Sequence, residues 1–275
     1  MALDKVIDSA VLDAGLTSVA DAIRARGGTS EQLAFPDGFV SAVEGVQTGG
    51  GDDVIRIGGV SWIIDGLWTT IPDVLRIELQ SPMSLSIRQA YETISRLIDV
   101  VITYASDDIE VFFGSGAFSS GNKAGNLRTI DCGGRLAQVY PDETFRCQSE
   151  LVSINAILYL SDNATFWDRT FVYCYALEEI RFLENSITVS GIPLGDSNSL
   201  SDDSLISIAN ALVISTDTTC TVTLHSTSKA RCGEILGTVS AVTEGDTTYD
   251  FFTQDEAGTV TLTEFITTTK GWTLA

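Results

Sequence analysis

A recurring pattern of Phe, Leu and Ile residues constrains the fold of this chain more than any other feature of its sequence. Leu–Ile pairs recur at intervals of 24 and 26 residues: Leu127 with Ile130, Leu151 with Ile154, and Leu177 with Ile180. A phenylalanine precedes each pair, at Phe118, Phe145 and Phe171. A period in the twenties is typical of a leucine-rich solenoid, whose units bury their apolar edges by stacking on one another. We therefore predict an α/β fold, a short and irregular leucine-rich-repeat solenoid in which each unit has one strand and one turn or short helix.

Two cysteines lie between the Phe and the Leu of their repeats. Cys147 and Cys174 are one position out of step with each other when the repeats are aligned. We expect both to be small side chains in the tight inner corner of a coil. The segment GNKAG, which follows Phe118, lengthens its repeat as an insertion would.

Residues 1–46 predict a small helical hairpin. Leu16, Val19 and Ile23 follow helical spacing, and Gly27-Gly28 ends that helix. Phe35 precedes a Pro-Asp-Gly turn, after which Phe39 and Val43 continue a second apolar stripe. Such a hairpin is too small to bury a good core by itself, so we expect it to pack on a partner or on copies of itself.

The segment QTGGGDD, residues 47–53, predicts a flexible linker, and residues 54–275 then form the main domain. Within that domain, VIRIGGVSWII predicts two short strands joined by a hairpin turn at Gly58-Gly59. A helix is predicted from Ile87 to Ile98 and a strand from Val100 to Tyr104. Further helices are predicted after Ser201 and His225, and residues 238–260 are expected to form a surface excursion.

The composition disfavours several functional classes. The net charge is −21, which disfavours nucleic acid and anionic lipid as partners. Five cysteines without a Cys-x-x-Cys pair and a single histidine do not suggest a zinc site or a disulfide framework. No signal peptide or membrane-spanning apolar run is evident, so we expect no membrane insertion.

The sequence does not favour catalysis. His225 precedes a predicted helix and is expected to cap it, and no nucleophile-elbow motif accompanies it. Adjacent acidic residues occur at Asp52-Asp53, Asp107-Asp108, Glu178-Glu179 and Asp202-Asp203. Neighbouring residues on a strand point to opposite faces, so Glu178 and Glu179 do not form a glycosidase pair. The oxygen-rich segment GDSNSLSDD, residues 195–203, could hold a cation, although a capped loop is the expected alternative. No cofactor, metal site or catalytic residue is therefore predicted.

Exposed aromatic residues offer a better candidate for function. Trp167, Arg169, Tyr173 and Tyr175 cluster around the third repeat. If Cys174 points inward, Tyr173 and Tyr175 point outward, where they could stack on sugars or anchor a protein. Ordinary core and edge packing is the alternative for these residues, and Trp62 and Trp68 form a second aromatic group.

Three stretches carry a resemblance to known proteins. TFVYCYALEEI resembles the F-x-x-C-x-x-L-x-x-I unit of BspA-like leucine-rich repeats. The segment from Leu200, with LSDDSLISIANAL and KGWTLA, resembles the terminal cap that follows such repeats in phage and prophage proteins of gut Firmicutes. LTSVADAIRARGGTSEQLAFPDGFVSAVEGV resembles the N-terminal segment of phage tail and other virion proteins. The chain departs from the pattern in its few repeats, in Cys147 and in an apparent insertion near residues 232–260.

The resemblance implies a non-enzymatic phage virion protein, made in the bacterial cytoplasm and released by lysis. Residues 1–46 would anchor it to other virion proteins through Leu16, Val19, Ile23, Phe35, Phe39 and Val43. The repeat domain would bind a host glycan or protein as a tail-fibre, receptor-binding component. By analogy with tail fibres, a homo-oligomer, specifically a trimer, is expected. A capsid decoration or head fibre without a receptor is the alternative, and a polysaccharide hydrolase is a third hypothesis.

Overall fold

In the computed structural model, the described residues are 54–57, 61–63, 73–86, 97–120, 125–140, 142–160, 169–217, 219–245 and 247–275. The predicted helical hairpin, the linker and most of the predicted helix from Ile87 lie outside these residues. The described part of the chain is mostly β, with short helices confined to the region after residue 200. This differs from the α/β expectation, because the described repeats carry strands and turns, the turn alternative of the prediction, and no short helix.

In the described part of the chain, nine parallel strands form the main sheet. They are β1 Val54–Ile57, β2 Ser61–Ile63, β3 Val74–Leu79, β4 Met83–Ser86, β5 Asp99–Tyr104, β6 Val111–Phe113, β7 Thr129–Val139, β8 Ser153–Leu160 and β9 Glu179–Phe182.

Each turn of the chain lays its strands on those of the turn before, in a β-solenoid-like stack of coils. Asp99 lies opposite Thr129, Thr129 opposite Ser153, and Ser153 opposite Glu179, so each step along the sheet advances one coil. The early coils supply two separate strands. In β7 the two run together, because its first residues pair with β5 and its last residues pair with β6. The stacking of repeats predicted from the sequence is confirmed at this level.

The predicted pairing of β1 with β2 in a hairpin is wrong, and the predicted turn at Gly58-Gly59 lies outside the described residues. β1 and β2 are strands, as expected, but β1 pairs with β3 and β2 pairs with β4, both in parallel. The two strands therefore belong to one coil and are covered by the next coil, rather than by each other. The apolar residues of a short strand indicate that something covers it, but they do not say which neighbour does so.

The phenylalanines of the repeats form a continuous ladder inside the stack. Phe118 and Phe145 stack with ring centroids 5.7 Å apart, and Phe145 and Phe171 stack at 5.4 Å. Equivalent backbone hydrogen bonds also link successive coils. Phe118 N donates to Thr144 O at 2.7 Å, and Phe145 N donates to Thr170 O at 3.0 Å. The Leu and Ile residues of the three repeats are all buried. The repeat spacing thus reports a core in which equivalent side chains touch from coil to coil.

The structure explains why the two cysteines are out of step. Cys147 and Tyr173 each lie two residues after the repeat Phe, and both have a φ of 64°. Cys174 lies three residues after its repeat Phe, the position that Gln148 holds in the preceding coil, and both side chains are buried. Both cysteines are buried, as expected, but they hold two different positions of the coil. Left-handed residues such as Cys147 and Tyr173 change the direction of the backbone sharply, and so they help to close the coil.

The chain after residue 200 closes the end of the stack. Its helices are α1 Asp202–Ala211, α2 Ser226–Cys232 and α3 Leu262–Glu264, and α3 continues into a π-helical turn, Phe265–Thr269. A parallel three-stranded sheet contains β10 Ile192–Leu194, β11 Thr221–Leu224 and β15 Thr273–Leu274. An antiparallel sheet contains β12 Leu236–Glu244, β13 Thr247–Gln254 and β14 Val260–Thr261.

Several local predictions in this region are confirmed. Ser201 caps α1, and His225 caps α2 by accepting a hydrogen bond from Thr227 N at 3.2 Å. The expected surface excursion at residues 238–260 is mostly a regular hairpin of β12 and β13. Its β-branched Thr and Val residues favour strands even though few of its side chains are buried.

Candidate binding surface on the third repeat

Tyr173 and Tyr175 project from the turn that follows β8. Cys174 between them is fully buried, whereas the two tyrosines are 44% and 47% exposed. Their ring centroids lie 6.1 Å apart, and the ring planes are tilted by 43°. The outward orientation expected for this pair is therefore present. It places two large aromatic side chains side by side at the surface.

The backbone beneath the pair is held by the next coil. Tyr173 N donates to the Asp196 carboxylate at 2.9 Å, and Ser197 Oγ donates to Cys174 O at 3.0 Å. These bonds hold the left-handed turn at Tyr173, a conformation that non-glycine residues adopt at an energetic cost. The two tyrosines consequently stand on a turn that the next coil holds in place.

A charged group lies on the coil that carries the tyrosines and on the preceding coil. One oxygen of Glu143 accepts a hydrogen bond from Arg146 and forms an ion pair with Arg169, each at 3.0 Å. Glu143 and Arg169 occupy equivalent left-handed positions of successive coils, two residues before Phe145 and Phe171. We call Glu143, Arg169, Tyr173 and Tyr175 together the tyrosine surface.

The electrostatics favour hydrogen-bond donation by Tyr175. Partial burial raises the pKa of Tyr175 above its ordinary value, and the Asp196 carboxylate and Tyr173 raise it further. The phenol therefore keeps its proton at neutral pH. The hydrogen bond to Glu143 raises the pKa of Arg146, which stays charged. The tyrosine surface thus combines phenol groups with the Arg169–Glu143 ion pair.

Other predicted site residues fall outside this surface or outside the description. Trp167 and Trp68 lie outside the described residues, and the side chain of Trp62 is not among those described. The anchor residues Leu16, Val19, Ile23, Phe35, Phe39 and Val43 also lie outside them. Sequence reasoning missed Glu143, Arg146 and Asp196. The repeat period could have indicated Glu143, because it lies one coil from Arg169.

Three carboxylates of the described pairs have local structural partners, namely Asp107, Asp108 and Asp202. Asp107 faces Arg135 at 3.7 Å, and Asp108 accepts a hydrogen bond from Ser106 at 2.5 Å. Asp202 forms an ion pair with Arg231 of α2. Glu178 and Glu179 are exposed neighbours at the start of β9. The pair at residues 52 and 53 lies outside the described part.

The oxygen-rich segment at residues 195–203 is occupied by its own hydrogen bonds. Asp196 and Ser197 bind the preceding coil, Ser199 donates to Asn198, and Ser201 caps α1. This is the arrangement expected of a capped loop. In the part of the chain that is described, no group of three or more His, Cys, Asp or Glu side chains is arranged to hold a metal ion.

A small cleft also lies between the helices and the hairpin of the C-terminal region. Its volume is about 230 Å³, and its lining includes Asp202, Arg231, Glu234 and Glu256. The Asp202–Arg231 ion pair lies in its wall, so these two groups already satisfy each other. No helix among the described residues is long and apolar enough to cross a bilayer.

Comparisons with known proteins add no relative to this description. The chain matches no protein-family model, no curated protein and no solved structure.

Proposed function

We propose that this chain is a non-enzymatic bacteriophage virion protein that binds the host surface through the tyrosine surface. The observation that carries the proposal is the pair Tyr173 and Tyr175, which stand nearly half exposed on either side of the buried Cys174. Exposed tyrosines held on a fixed turn supply a large contact area with little loss of side-chain entropy on binding. A chain that only needed to close its coil could place small polar residues at these two positions.

A neutral sugar is the ligand that fits this surface best. Aromatic rings stack on the apolar C–H faces of sugars, while their phenol groups donate to ring hydroxyls. Arg169 and Glu143 add a charged donor and a charged acceptor from the same two coils. The net charge of −21 disfavours polyanionic polymers, whose approach it would oppose. A host glycan without negative charge is therefore the proposed ligand class.

The remaining parts of the proposal rest on the sequence resemblance. The stacked coils are assigned as a short BspA-like leucine-rich-repeat array, supported by the Phe-x-x-Cys-x-x-Leu-x-x-Ile unit at residues 171–180. Residues 1–46 would attach the protein to other virion proteins, as a homo-oligomer and by analogy a trimer. The protein would be carried on the virion and released by lysis of the bacterial host.

The experiment uses the full chain, labelled with a fluorophore, on a panel of intact bacterial strains from the gut. Binding to some strains, lost after periodate oxidation of their glycans but kept after protease treatment, is the expected result. Loss after protease treatment alone would identify a protein receptor and contradict the glycan assignment. Absence of binding across the panel, together with antibody labelling of the chain on phage capsids, would favour a decoration protein instead.

A further inference from the structure

Lys270 is fully buried in the C-terminal region, although the chain carries a large excess of negative charge. It follows the π-helical turn Phe265–Thr269. Its backbone is fixed on both sides, since Lys270 N donates to Phe265 O at 2.9 Å and Lys270 O accepts from Ser215 N at 2.8 Å. A buried ammonium group is costly unless it is paired, so the surroundings of this side chain need an explanation.

The side chain of Lys270 meets an amide rather than a carboxylate. Its Nζ lies 3.1 Å from Oδ1 of Asn185, a residue 85 positions away in sequence. The Phe265 and Phe251 ring centroids lie 5.4 Å and 6.0 Å from Nζ. Among the described residues, Lys270 takes part in no ion pair. The amine and the carboxamide are therefore held together in a largely apolar site.

The backbone of Asn185 is also held by a hydrogen bond. Its backbone N–H donates to Asn210 O at 3.1 Å, and it has a left-handed φ of 50°. Cγ of Asn185 is bonded directly to the Oδ1 atom that Nζ contacts. The amine nitrogen thus lies within hydrogen-bond distance of an atom bonded to the electrophilic Cγ, and such proximity favours a reaction between the two groups.

The protonation state of Lys270 suits a nucleophile. Burial lowers the pKa of Lys270 to about 8, against the weaker, opposing influence of the Asp250 and Glu184 carboxylates. A substantial fraction of the side chain is then the neutral amine at mildly alkaline pH. Asp250 and Glu184 are the carboxylates whose charge acts on the amine.

We propose that Lys270 and Asn185 join in an intramolecular isopeptide bond. The neutral Nζ attacks Cγ of Asn185 and forms a new C–N bond. The Cγ–Nδ2 bond breaks, and Nδ2 leaves as ammonia after taking the proton that Nζ gives up, relayed by Asp250 or Glu184. The product is a secondary amide, so no oxidant, reductant or other reactant is needed.

The bond would join the turn after β9 to the C-terminal segment. It would close a covalent loop across the region that ends the stack of coils, and such a link restricts the unfolded chain. The inference does not depend on the proposed host binding, because the two concern different residues and different measurements.

The test is the intact mass of the purified full chain, followed by mapping of its tryptic peptides. The expected mass is that of the sequence less one ammonia molecule. Trypsin should fail to cleave after Lys270 and should yield a branched peptide that contains both Asn185 and Lys270.

Two variants separate this reaction from other losses of ammonia. Lys270→Arg keeps the positive charge but lacks the reactive amine, so it should show the full mass. Asn185→Asp, if it reacts, should lose water and reach the same final mass as the cross-linked wild type, because the product amide is identical.

Two further variants test the proton relay. Glu184→Gln and Asp250→Asn should slow the reaction in freshly purified protein.

The wild-type chain decides the question even if a variant fails to fold. If the chain keeps the full mass of its sequence after prolonged incubation at mildly alkaline pH, with no loss of ammonia, the proposal is overturned. Loss of ammonia that persists in Lys270→Arg would also overturn it, by showing that another group reacts. If both carboxylate variants react at the wild-type rate, the proton relay assigned to them is wrong.

Discussion

The side chains of Gln148 and Cys174 make the same hydrogen bond one coil apart. Gln148 Nε2 donates to the backbone carbonyl of Phe118, and Cys174 Sγ donates to that of Phe145 at 3.1 Å. In both coils the donor lies three residues after the repeat Phe, and the acceptor is the Phe of the preceding coil. The inner corner of the coil therefore requires a donor rather than a cysteine.

The first prediction concerns the space that Gln148 fills. A Cβ placed on Gly125 would lie 2.0 Å from Gln148 Oε1, so Gly125→Ala forces the buried amide out of position. We expect a loss of about 1–3 kcal/mol in the free energy of unfolding, the usual cost of overpacking. In a Gln148→Ala background the same substitution should cost much less, because the clash is gone. Denaturant unfolding of the four proteins measures this coupling, and equal costs in both backgrounds would contradict it.

The second prediction concerns the phenylalanine ladder. Phe145 is fully buried and stacks on both Phe118 and Phe171. Phe145→Ala should lower the free energy of unfolding by about 3–5 kcal/mol, because it leaves a cavity in the middle of the stack. Tyr140→Ala is the control, since Tyr140 is 48% exposed, and it should change stability by less than about 0.5 kcal/mol. Similar losses in the two variants would argue against a continuous ladder.

The third prediction concerns the edge of the main sheet. Among the described strands, β9 pairs with β8 alone, and α1 covers its other edge. Ser207 Oγ accepts a hydrogen bond from Phe182 N at 3.0 Å, and Ser204 Oγ accepts one from Ile180 N at 2.9 Å. Serine hydroxyls thus satisfy backbone groups that an open edge would present to other chains.

Ser207→Ala should therefore destabilise the protein by about 1–3 kcal/mol, although alanine is the better helix former. Ser226→Ala in α2 is the control, because Ser226 is an exposed helical serine. It should leave stability nearly unchanged in the same denaturant titration. A stabilising Ser207→Ala would show that the hydroxyl contributes nothing at this edge.

The sequence alone predicts the repeats well because equivalent side chains recur at regular spacing. It also predicts α1 correctly, since Ser201 and the apolar spacing that follows mark its start and its buried face. Pairing is harder to predict. The apolar residues of β1 and β2 do not reveal that the next coil covers them.

Contacts between distant residues escape sequence reasoning for the same reason. The contact of Lys270 with Asn185 joins positions 85 residues apart that share no motif. The sequence predicts only a surface excursion where β12 and β13 form a hairpin, because this segment has few large apolar residues and no apolar alternation marks its strands. The sequence predicts part of the candidate site, because Tyr173 and Tyr175 flank a cysteine whose position in the repeat indicates burial.

The fourth prediction concerns the thiols. Burial raises the pKa of Cys132 and of Cys232 to about 12 each, and it raises the pKa of Cys174 further. A raised pKa disfavours the thiolate, the form that reacts, so these groups should remain inert at pH values well below 12. Cys220 is only partly buried.

In native protein at about pH 8, a thiol reagent that absorbs on reaction should therefore label Cys220 first. All five cysteines should react once the chain is unfolded in denaturant. Cys220→Ser should remove the fast phase and leave the slow reaction unchanged. Fast labelling of Cys132 or Cys174 in the native protein would contradict the burial that the stack of coils gives them.

The most direct test of the account is the affinity of the full chain for a bacterial strain that it binds, with and without the two tyrosines. Tyr173→Ala/Tyr175→Ala should weaken binding at least tenfold, because exposed aromatic anchors dominate such contacts, while the melting temperature stays close to that of the wild type. Tyr140→Ala, which removes a similarly exposed tyrosine outside the tyrosine surface, should bind like the wild type. Unchanged affinity in the folded double variant would contradict the assignment of this surface.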